Sequence, residues 1–208
     1  MANSVGEFKI LLRRAHKRGT ALDAELDSAM ARAARWVEMN TTLQYMRQRF
    51  ELVTEIGSDE IALPKVGIKS ILGMRYKDRL DDYGKPIHIR KVSQEEMIYY
   101  GEGLPDQFFQ DGIARLVFNG TYREVMQITG TLARFTDFPK KDTDTHWLLE
   151  NAEGLMLAQS MLELGLISRD ERSYGMYQSH RSDQIMVLQN ADYEAQYAGQ
   201  DIILAPGQ

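Results

Sequence analysis

One short stretch of the chain combines side chains that can bind a metal ion. Asp142, Asp144 and His146 offer oxygen and nitrogen ligands at alternate positions, which an extended loop could direct at one divalent cation. The same stretch precedes a helical pattern, and Asp144 or Thr145 can cap the free N–H groups of its first turn. The other ligands that a metal site needs are not identifiable. We therefore interpret the stretch as the start of a helix and predict neither a metal nor a cofactor.

Two pairs of adjacent carboxylates could in principle supply an acid and a base. They are Asp81-Asp82 and Glu95-Glu96. Adjacent side chains on a turn or a helix diverge, so we interpret both pairs as structural. The sequence contains neither the phosphate-binding pattern G-x-x-x-x-G-K-[ST] nor the nucleophile turn G-x-S-x-G, and it has no cysteine for thiol chemistry. We predict that the protein is not an enzyme.

A basic cluster near the N-terminus is the one feature that invites contact with nucleic acid. Its positions could meet phosphates, or they could form a solvated helix face or ion pairs with a neighbouring subunit. The formal net charge of −5 favours the second interpretation. The candidates for contact with DNA or with another subunit are Arg13, Arg14, Lys17 and Arg18, together with the neighbouring Lys9 and His16.

The elements that must position these residues follow from the hydrophobic period. A helical period predicts a first helix from Ser4 to about Lys17 and a second helix, capped by Thr20, that includes Trp36. From Arg49 the period drops to two, which predicts strands. The expected strand features are a hairpin over 50–63, a pair of strands over 68–76 and 85–92, a capped short helix starting at 93, and a three-stranded meander over about 107–132 with tight turns at Asp111-Gly112 and Asn119-Gly120.

The helix predicted from Thr145 to Leu166 is apolar nearly all round, which is more than a surface helix needs. We expect it to be buried inside the subunit and between subunits, and a last helix is predicted to follow from Ser168 to about Tyr197. Tryptophans at two positions are expected to act as packing anchors with a polar edge at an interface. The residues predicted for the subunit core or interface are Trp36, Trp147, Leu148, Leu155 and Leu162.

The C-terminal segment has strand propensity and retains large apolar residues where a solvated terminus needs none. Ile202, Ile203 and Leu204 are adjacent, and Pro206 follows. We predict an extended arm that docks on a partner by entering an apolar groove or adding to a strand edge. The alternative is an edge strand that folds back onto its own subunit.

These elements predict an α+β protein that is mainly a helical bundle, with a small inserted antiparallel sheet or hairpin region and an extended C-terminal arm. The expected organisation is N-terminal bundle helices over 1–48, the inserted strands over 49–136, C-terminal bundle helices over 137–197 and the arm over 198–208. No secretion signal and no run of about 20 apolar residues is evident, so we expect no membrane span.

Several segments, in their order and spacing, resemble one family. They are the capped run from Asp142 to Ala152, the upstream run from Ala34 to Asn40, and the predicted strands from Glu60 to Pro64 and from Gly112 to Phe118. Across roughly Leu22 to Tyr193 the chain is similar to the head-to-tail adaptor (head-completion, tail accessory) proteins of tailed double-stranded-DNA bacteriophages.

The resemblance implies a virion structural protein made in the cytoplasm of the host bacterium. By family expectation, twelve copies form a ring in the neck, beneath the portal protein and above a tail or nozzle protein. Genomic DNA would pass through the ring without sequence-specific binding. The C-terminal arm would then contact the portal.

Other functions remain open at the level of sequence. A tail-completion protein or another virion ring protein would share the oligomerisation and differ in its neighbours. A nucleic-acid-binding module would use the basic first helix, and an unrecognised hydrolase is a more distant alternative. Binding to duplex DNA that weakens steeply with salt would separate the nucleic-acid-binding module from an adaptor.

Overall fold

The computed structural model describes residues 4–16, 20–63, 67–112, 115–168 and 171–197. Contacts between Cα atoms divide the chain into two compact units. The helical unit comprises Met1–Tyr45 and Asp137–Gln208, and the sheet unit comprises Met46–Thr136. Each unit encloses a hydrophobic core of its own. The predicted C-terminal arm lies outside the described residues.

The described part of the helical unit contains α1 (Val5–His16), α2 (Asp23–Asn40), α3 (Trp147–Asn151), α4 (Glu153–Ser168) and α5 (Glu171–Tyr197). Helix α4 is central and packs against α1, α2, α3 and α5. Its sequence explains this position, because it is apolar on nearly every side and buries most of its length. Among the described helices, none combines the length and the apolar character that crossing a membrane requires.

The starts of two helices differ from the sequence prediction. Neither Asp144 nor Thr145 caps α3, because His146 is the N-cap and its side chain accepts a hydrogen bond from the N–H of Leu148. The predicted helix over 145–166 is also interrupted at Ala152, whose φ of −139° and ψ of 30° separate α3 from α4. Thr20 is not the N-cap of α2, since Leu22 occupies that position without a side-chain hydrogen bond.

The sheet unit contains nine described strands. They are β1 (Arg47–Val53), β2 (Glu60–Ala62), β3 (Ile68–Leu80), β4 (Pro86–Lys91), β5 (Glu102–Gly103), β6 (Gln107–Asp111), β7 (Arg115–Phe118), β8 (Thr121–Tyr122) and β9 (Gln127–Arg134). Seven of them form one curled sheet in the order β1-β9-β3-β4-β6-β7-β2, and β5 pairs with β8. The sheet is mixed, because β4 and β6 run parallel while its other neighbours are antiparallel.

The predicted fold class, a mainly helical bundle with a small hairpin insertion, is therefore wrong. The strands build a sheet of seven with its own core, including Ile71, Phe108, Leu116 and Ile128. An alternating run indicates a strand without indicating its partner, so the expected hairpin over 50–63 does not form. Strands β1 and β2 are consecutive in sequence, yet they lie at opposite edges of the sheet and pair with β9 and β7.

The predicted three-stranded meander is also wrong. The hairpin of β6 and β7 does form, with Gly112 at a φ of 63°. After β7, however, the chain enters β8, which runs parallel to β5, and β9 crosses to the other side of the sheet. Asn119 is fully buried there, and its side-chain oxygen accepts hydrogen bonds from the N–H groups of Asp106 and Gln107.

Two local predictions are confirmed in the sheet unit. Strands β3 and β4 pair antiparallel across the turn predicted at 81–84, where Gly84 has a φ of 74°. The capping box between Ser93 and Glu96 is present, although it closes only a single 3₁₀ turn at Gln94–Glu96. Both features are encoded within a few consecutive residues.

Candidate functional site

The stretch that could have bound a metal instead holds the first helix in place. The carboxylate of Asp142 lies 2.6 Å from Nζ of Lys9, which also lies 2.8 Å from the carboxylate of Asp27. Hydrogen bonds to Asp142 and then to Asp27 raise the pKa of the Lys9 ammonium. Within the described residues, no group of three or more acidic, histidine or cysteine side chains is arranged to hold a metal ion.

His146 is buried in the helical unit and serves as a helix cap. Its Nδ1 accepts from the N–H of Leu148 at 3.3 Å, and its ring centroid lies 5.1 Å from that of Phe138. Burial lowers its pKa to about 4, because the charged imidazolium loses its hydration. The residue is therefore neutral at neutral pH.

One carboxylate of each adjacent pair stabilises a turn. Asp81 Oδ1 accepts hydrogen bonds from the N–H groups of Tyr83 and Lys85 at 2.9 and 2.8 Å. The carboxylate of Glu96 accepts from the N–H and the hydroxyl of Ser93, and these bonds lower the pKa of Glu96. Each of these carboxylates serves the backbone of its own turn, as the sequence interpretation expected.

The basic cluster on α1 is largely matched by acids of the same unit. Arg13 Nε donates to the carboxylate of Asp23 at 2.7 Å, which together with the ion pairs of Lys9 ties α1 to α2 and to the loop before α3. Arg14 is exposed. Lys17 and Arg18 lie outside the described residues. The described ion pairs favour an internal structural role for this cluster over a phosphate-binding face.

The three leucines predicted for the core or interface are all buried within the helical unit itself. Leu148, Leu155 and Leu162 have 0%, 0% and 2% of their surface exposed. Their side chains therefore contribute to packing inside one subunit.

The two tryptophans are partly buried and each makes a specific contact at its exposed edge. The ring of Trp147 stacks on Tyr45 with centroids 5.4 Å apart, and the Tyr45 hydroxyl donates to Asn151 Oδ1 at 3.0 Å. The guanidinium of Arg181 lies 4.4 Å from the ring centroid of Trp36, within the range of a cation–π interaction. These contacts tie the loop after α2 to α3, and α2 to α5.

A chain of polar contacts continues from Arg181 across the helical unit. Its Nη1 donates to Gln159 at 3.1 Å, Nε2 of Gln159 donates to Glu163 at 3.0 Å, and Nε of Arg32 donates to Glu163 at 3.0 Å. The sequence alone does not reveal this network, because its members come from α2, α4 and α5. It fixes the rotation of α5 on α4.

Helix α5 carries a second apolar face that the helical unit leaves uncovered. Tyr177, Ile185 and Leu188 pack on the core. Large apolar side chains on the opposite side are about 60% exposed, and at 100° per residue they fall within about 120° of the helix circumference. They are Met176, Met186, Val187 and Tyr193. We call this the outer face of α5, and the eleven-residue spacing of Met176 and Val187 is a signal that sequence analysis could have used.

The portal-binding residues predicted from sequence, Ile202, Ile203, Leu204 and Pro206, lie outside the described residues. A comparison of the sequence with protein-family models and with curated proteins finds no match.

Proposed function

We propose that the chain is a virion structural protein of a tailed bacteriophage, an adaptor subunit that assembles into a ring between the portal and the tail. The sequence segments that resemble such adaptors motivate the proposal, with twelve copies as the family expectation. The observation that supports it best is the outer face of α5, where four large apolar side chains are exposed along one helix. Several large apolar side chains exposed on one side of a helix are typical of a protein–protein interface.

The internal polar contacts of the helical unit fit this role. The network from Arg181 to Arg32 holds α5 in one orientation on α4, so the outer face is presented as a rigid surface. Rigid presentation lowers the entropic cost of association, because fewer groups must be ordered when subunits meet. In a ring, the same face on each copy would contact a different surface on the next copy.

The first experiment combines the purified chain with the portal protein of the same phage and counts subunits by electron microscopy. We expect a closed ring on the portal. The double variant Met186→Glu/Val187→Glu should prevent ring formation, because it places two charges in the apolar interface. The matched control, Gln178→Glu/Gln189→Glu, adds the same charge to exposed positions of α5 outside the outer face and should assemble normally. A complete ring from the Met186→Glu/Val187→Glu protein would contradict the assigned interface.

A second experiment addresses the C-terminal arm. Deletion of residues 199–208 should leave a folded protein that no longer joins the portal, since Ile202, Ile203 and Leu204 are the proposed anchors. Unchanged capture by immobilised portal protein would show that the arm is not the attachment. Capture by a tail protein in place of the portal would favour a tail-completion role.

A further inference from the structure

The sheet unit has a hollow of about 310 Å³ on the face of the sheet that points away from its core. Basic and hydroxyl side chains from four neighbouring strands surround it. They are Arg49 on β1, Thr129 and Thr131 on β9, Arg75 on β3 and His88 on β4, with Gly73 of β3 among the lining residues. We call this the basic hollow.

The register of the sheet explains how residues so distant in sequence meet. Thr131 lies opposite Arg49 on one side and opposite Gly73 on the other. In the next row that faces the same way, Arg75 lies between Thr129 and His88. Directly opposed residues on neighbouring strands have their Cβ atoms about 5 Å apart, so the two rows surround one small space.

Gly73 leaves that space open. A Cβ atom placed on Gly73 would meet no other atom within 4 Å, and its backbone has no positive φ that would require glycine. Gly73 follows a register shift in β3, where a glycine is common, and the absence of its side chain leaves the surface beside Thr131 open. The hollow of about 310 Å³ has room for a group the size of a phosphate.

The charges of the hollow are not neutralised from within. Neither Arg49 nor Arg75 forms an ion pair anywhere in the part of the chain that the structure describes. Glu51, which lies opposite Thr129 in the same row, is engaged by Lys77 Nζ at 3.2 Å. Glu124, in the loop before β9, is engaged by Arg79. Two unpaired guanidinium groups thus share one concave surface on a chain of net charge −5. An anion is the natural counterpart of such a surface.

We propose that the basic hollow is a binding site for a phosphate group, with Arg49 and Arg75 as charged donors and Thr129 and Thr131 as hydroxyl donors. Guanidinium groups match phosphate oxygens in a planar, two-bond geometry, and hydroxyls can complete the hydrogen bonds. The phosphate can belong to a small phosphorylated molecule or to a nucleic-acid backbone. The site does not depend on the proposed ring or on the outer face of α5.

The first test is a titration of the isotopically labelled full chain with inorganic phosphate at fixed ionic strength, with chloride as the balancing anion. We expect saturable shifts of the side-chain N–H resonances of Arg49 and Arg75, while those of Arg79 remain in place. Because this measurement uses the unmodified protein, it does not depend on how any variant folds. Absence of a saturable shift at Arg49 and Arg75 would overturn the proposal.

Variants then separate the hollow from the general charge of the face. Gly73→Val fills the space with a residue that favours strands, and it should weaken phosphate binding about tenfold or more. Arg75→Gln should do the same. Arg79→Gln removes one positive charge from the same strand and serves as the matched control. Equal weakening by Arg79→Gln and Arg75→Gln would mean that only the overall charge matters, which would refute a built site.

A parallel titration with duplex DNA identifies whether the phosphate belongs to a nucleic acid. If the site takes a nucleic-acid backbone, Arg49→Gln/Arg75→Gln should make the negative slope of log affinity against log salt shallower by about 1.8, from two lost phosphate contacts. If DNA binding is absent or insensitive to these changes while inorganic phosphate still binds, the ligand is a small phosphorylated molecule. Absence of both kinds of binding in the unmodified chain, or phosphate and DNA binding that are both unchanged in Arg49→Gln/Arg75→Gln, would refute the site.

Discussion

The helical unit and the sheet unit bury different kinds of side chain in their cores. Around α4 the helical unit buries aliphatic residues such as Leu155, Met156 and Leu164. The sheet unit buries a group of aromatic rings, with Phe118 5.4 Å from Tyr122 and 6.3 Å from Phe108 between ring centroids. Burial raises the pKa of the phenol groups of Tyr76 and Tyr122. We expect the helices around the aliphatic core to close a cavity more readily than the strands around the ring cluster, whose positions are fixed by strand pairing.

The largest effect is expected in the ring cluster of the sheet unit. Phe118→Ala should lower the free energy of unfolding by about 3–5 kcal/mol, because the fully buried ring leaves a cavity between neighbours that are fixed by strand pairing. Urea unfolding measures the loss. Tyr83→Ala, at an aromatic that is 87% exposed, is the control and should change stability by less than about 0.5 kcal/mol. Similar losses for both variants would contradict the assigned core.

A core leucine of the helical unit should give a comparable or smaller loss. Leu155→Ala is expected to cost about 2–5 kcal/mol, toward the lower end if α4 and its neighbours close the cavity. Leu166 lies on the same helix and is 61% exposed, so Leu166→Ala provides the matched control. A loss for Leu155→Ala that clearly exceeds that for Phe118→Ala would break the proposed difference between the two cores.

Alanine substitutions at two glycines test whether the sheet accommodates an added Cβ atom less readily than α4 does. A Cβ on Gly130 in the sheet would lie 2.6 Å from both the carbonyl oxygen of Gly73 and the ring of Phe50. A Cβ on Gly154 in α4 would lie 2.4 Å from the side-chain oxygen of Gln184, which can move. We expect Gly130→Ala to destabilise by about 1–3 kcal/mol. Gly154→Ala should be nearly neutral, since alanine gains about 1 kcal/mol in helix propensity. Equal changes in melting temperature for Gly130→Ala and Gly154→Ala would contradict this expected difference between the sheet and α4.

The last effect is a pH dependence that comes from the buried histidine of the helical unit. The pKa of His146 is about 4 in the folded protein, whereas an ordinary histidine has a pKa of 6.5. Between pH 4 and pH 6.5 the unfolded chain therefore binds a proton at this residue more readily than the folded protein does. Stability should be highest above pH 6.5 and should fall toward pH 4 by up to about 1.4 kcal/mol per pH unit. His146→Asn keeps a capping oxygen and should remove this part of the pH dependence. An unchanged slope in urea unfolding at several pH values would exclude His146 as the cause.

The sequence located most elements but not their assembly. The helix predicted from Ser4 to Lys17 is found at Val5–His16, because a helical period is a local property of consecutive residues. The strand runs were also recognised. Alternation marks a strand, however, without indicating its neighbour, and so the separation of β1 and β2 to opposite edges could not be read from it.

The same reasoning applies to the candidate sites. The outer face of α5 is encoded within one helix and was accessible to a periodicity argument. The basic hollow was not, because Arg49 and Arg75 meet across β9 only once the register of the sheet is known. Asp142, which resembles a metal ligand in the sequence, is engaged by Lys9, a partner distant along the chain.

The first and last strands of the sheet unit, β1 and β9, lie side by side. Arg47 near its start lies opposite Ala133 near its end, in the antiparallel pair of β1 and β9. For the helical unit, an insertion whose ends are one strand spacing apart, about 5 Å, acts like a short connection once it is folded. The entropic cost of closing such a loop is then set by that gap and not by the number of inserted residues. Residues 46–136 can therefore lengthen, shorten or be exchanged during evolution without changing what α2 and α3 must span.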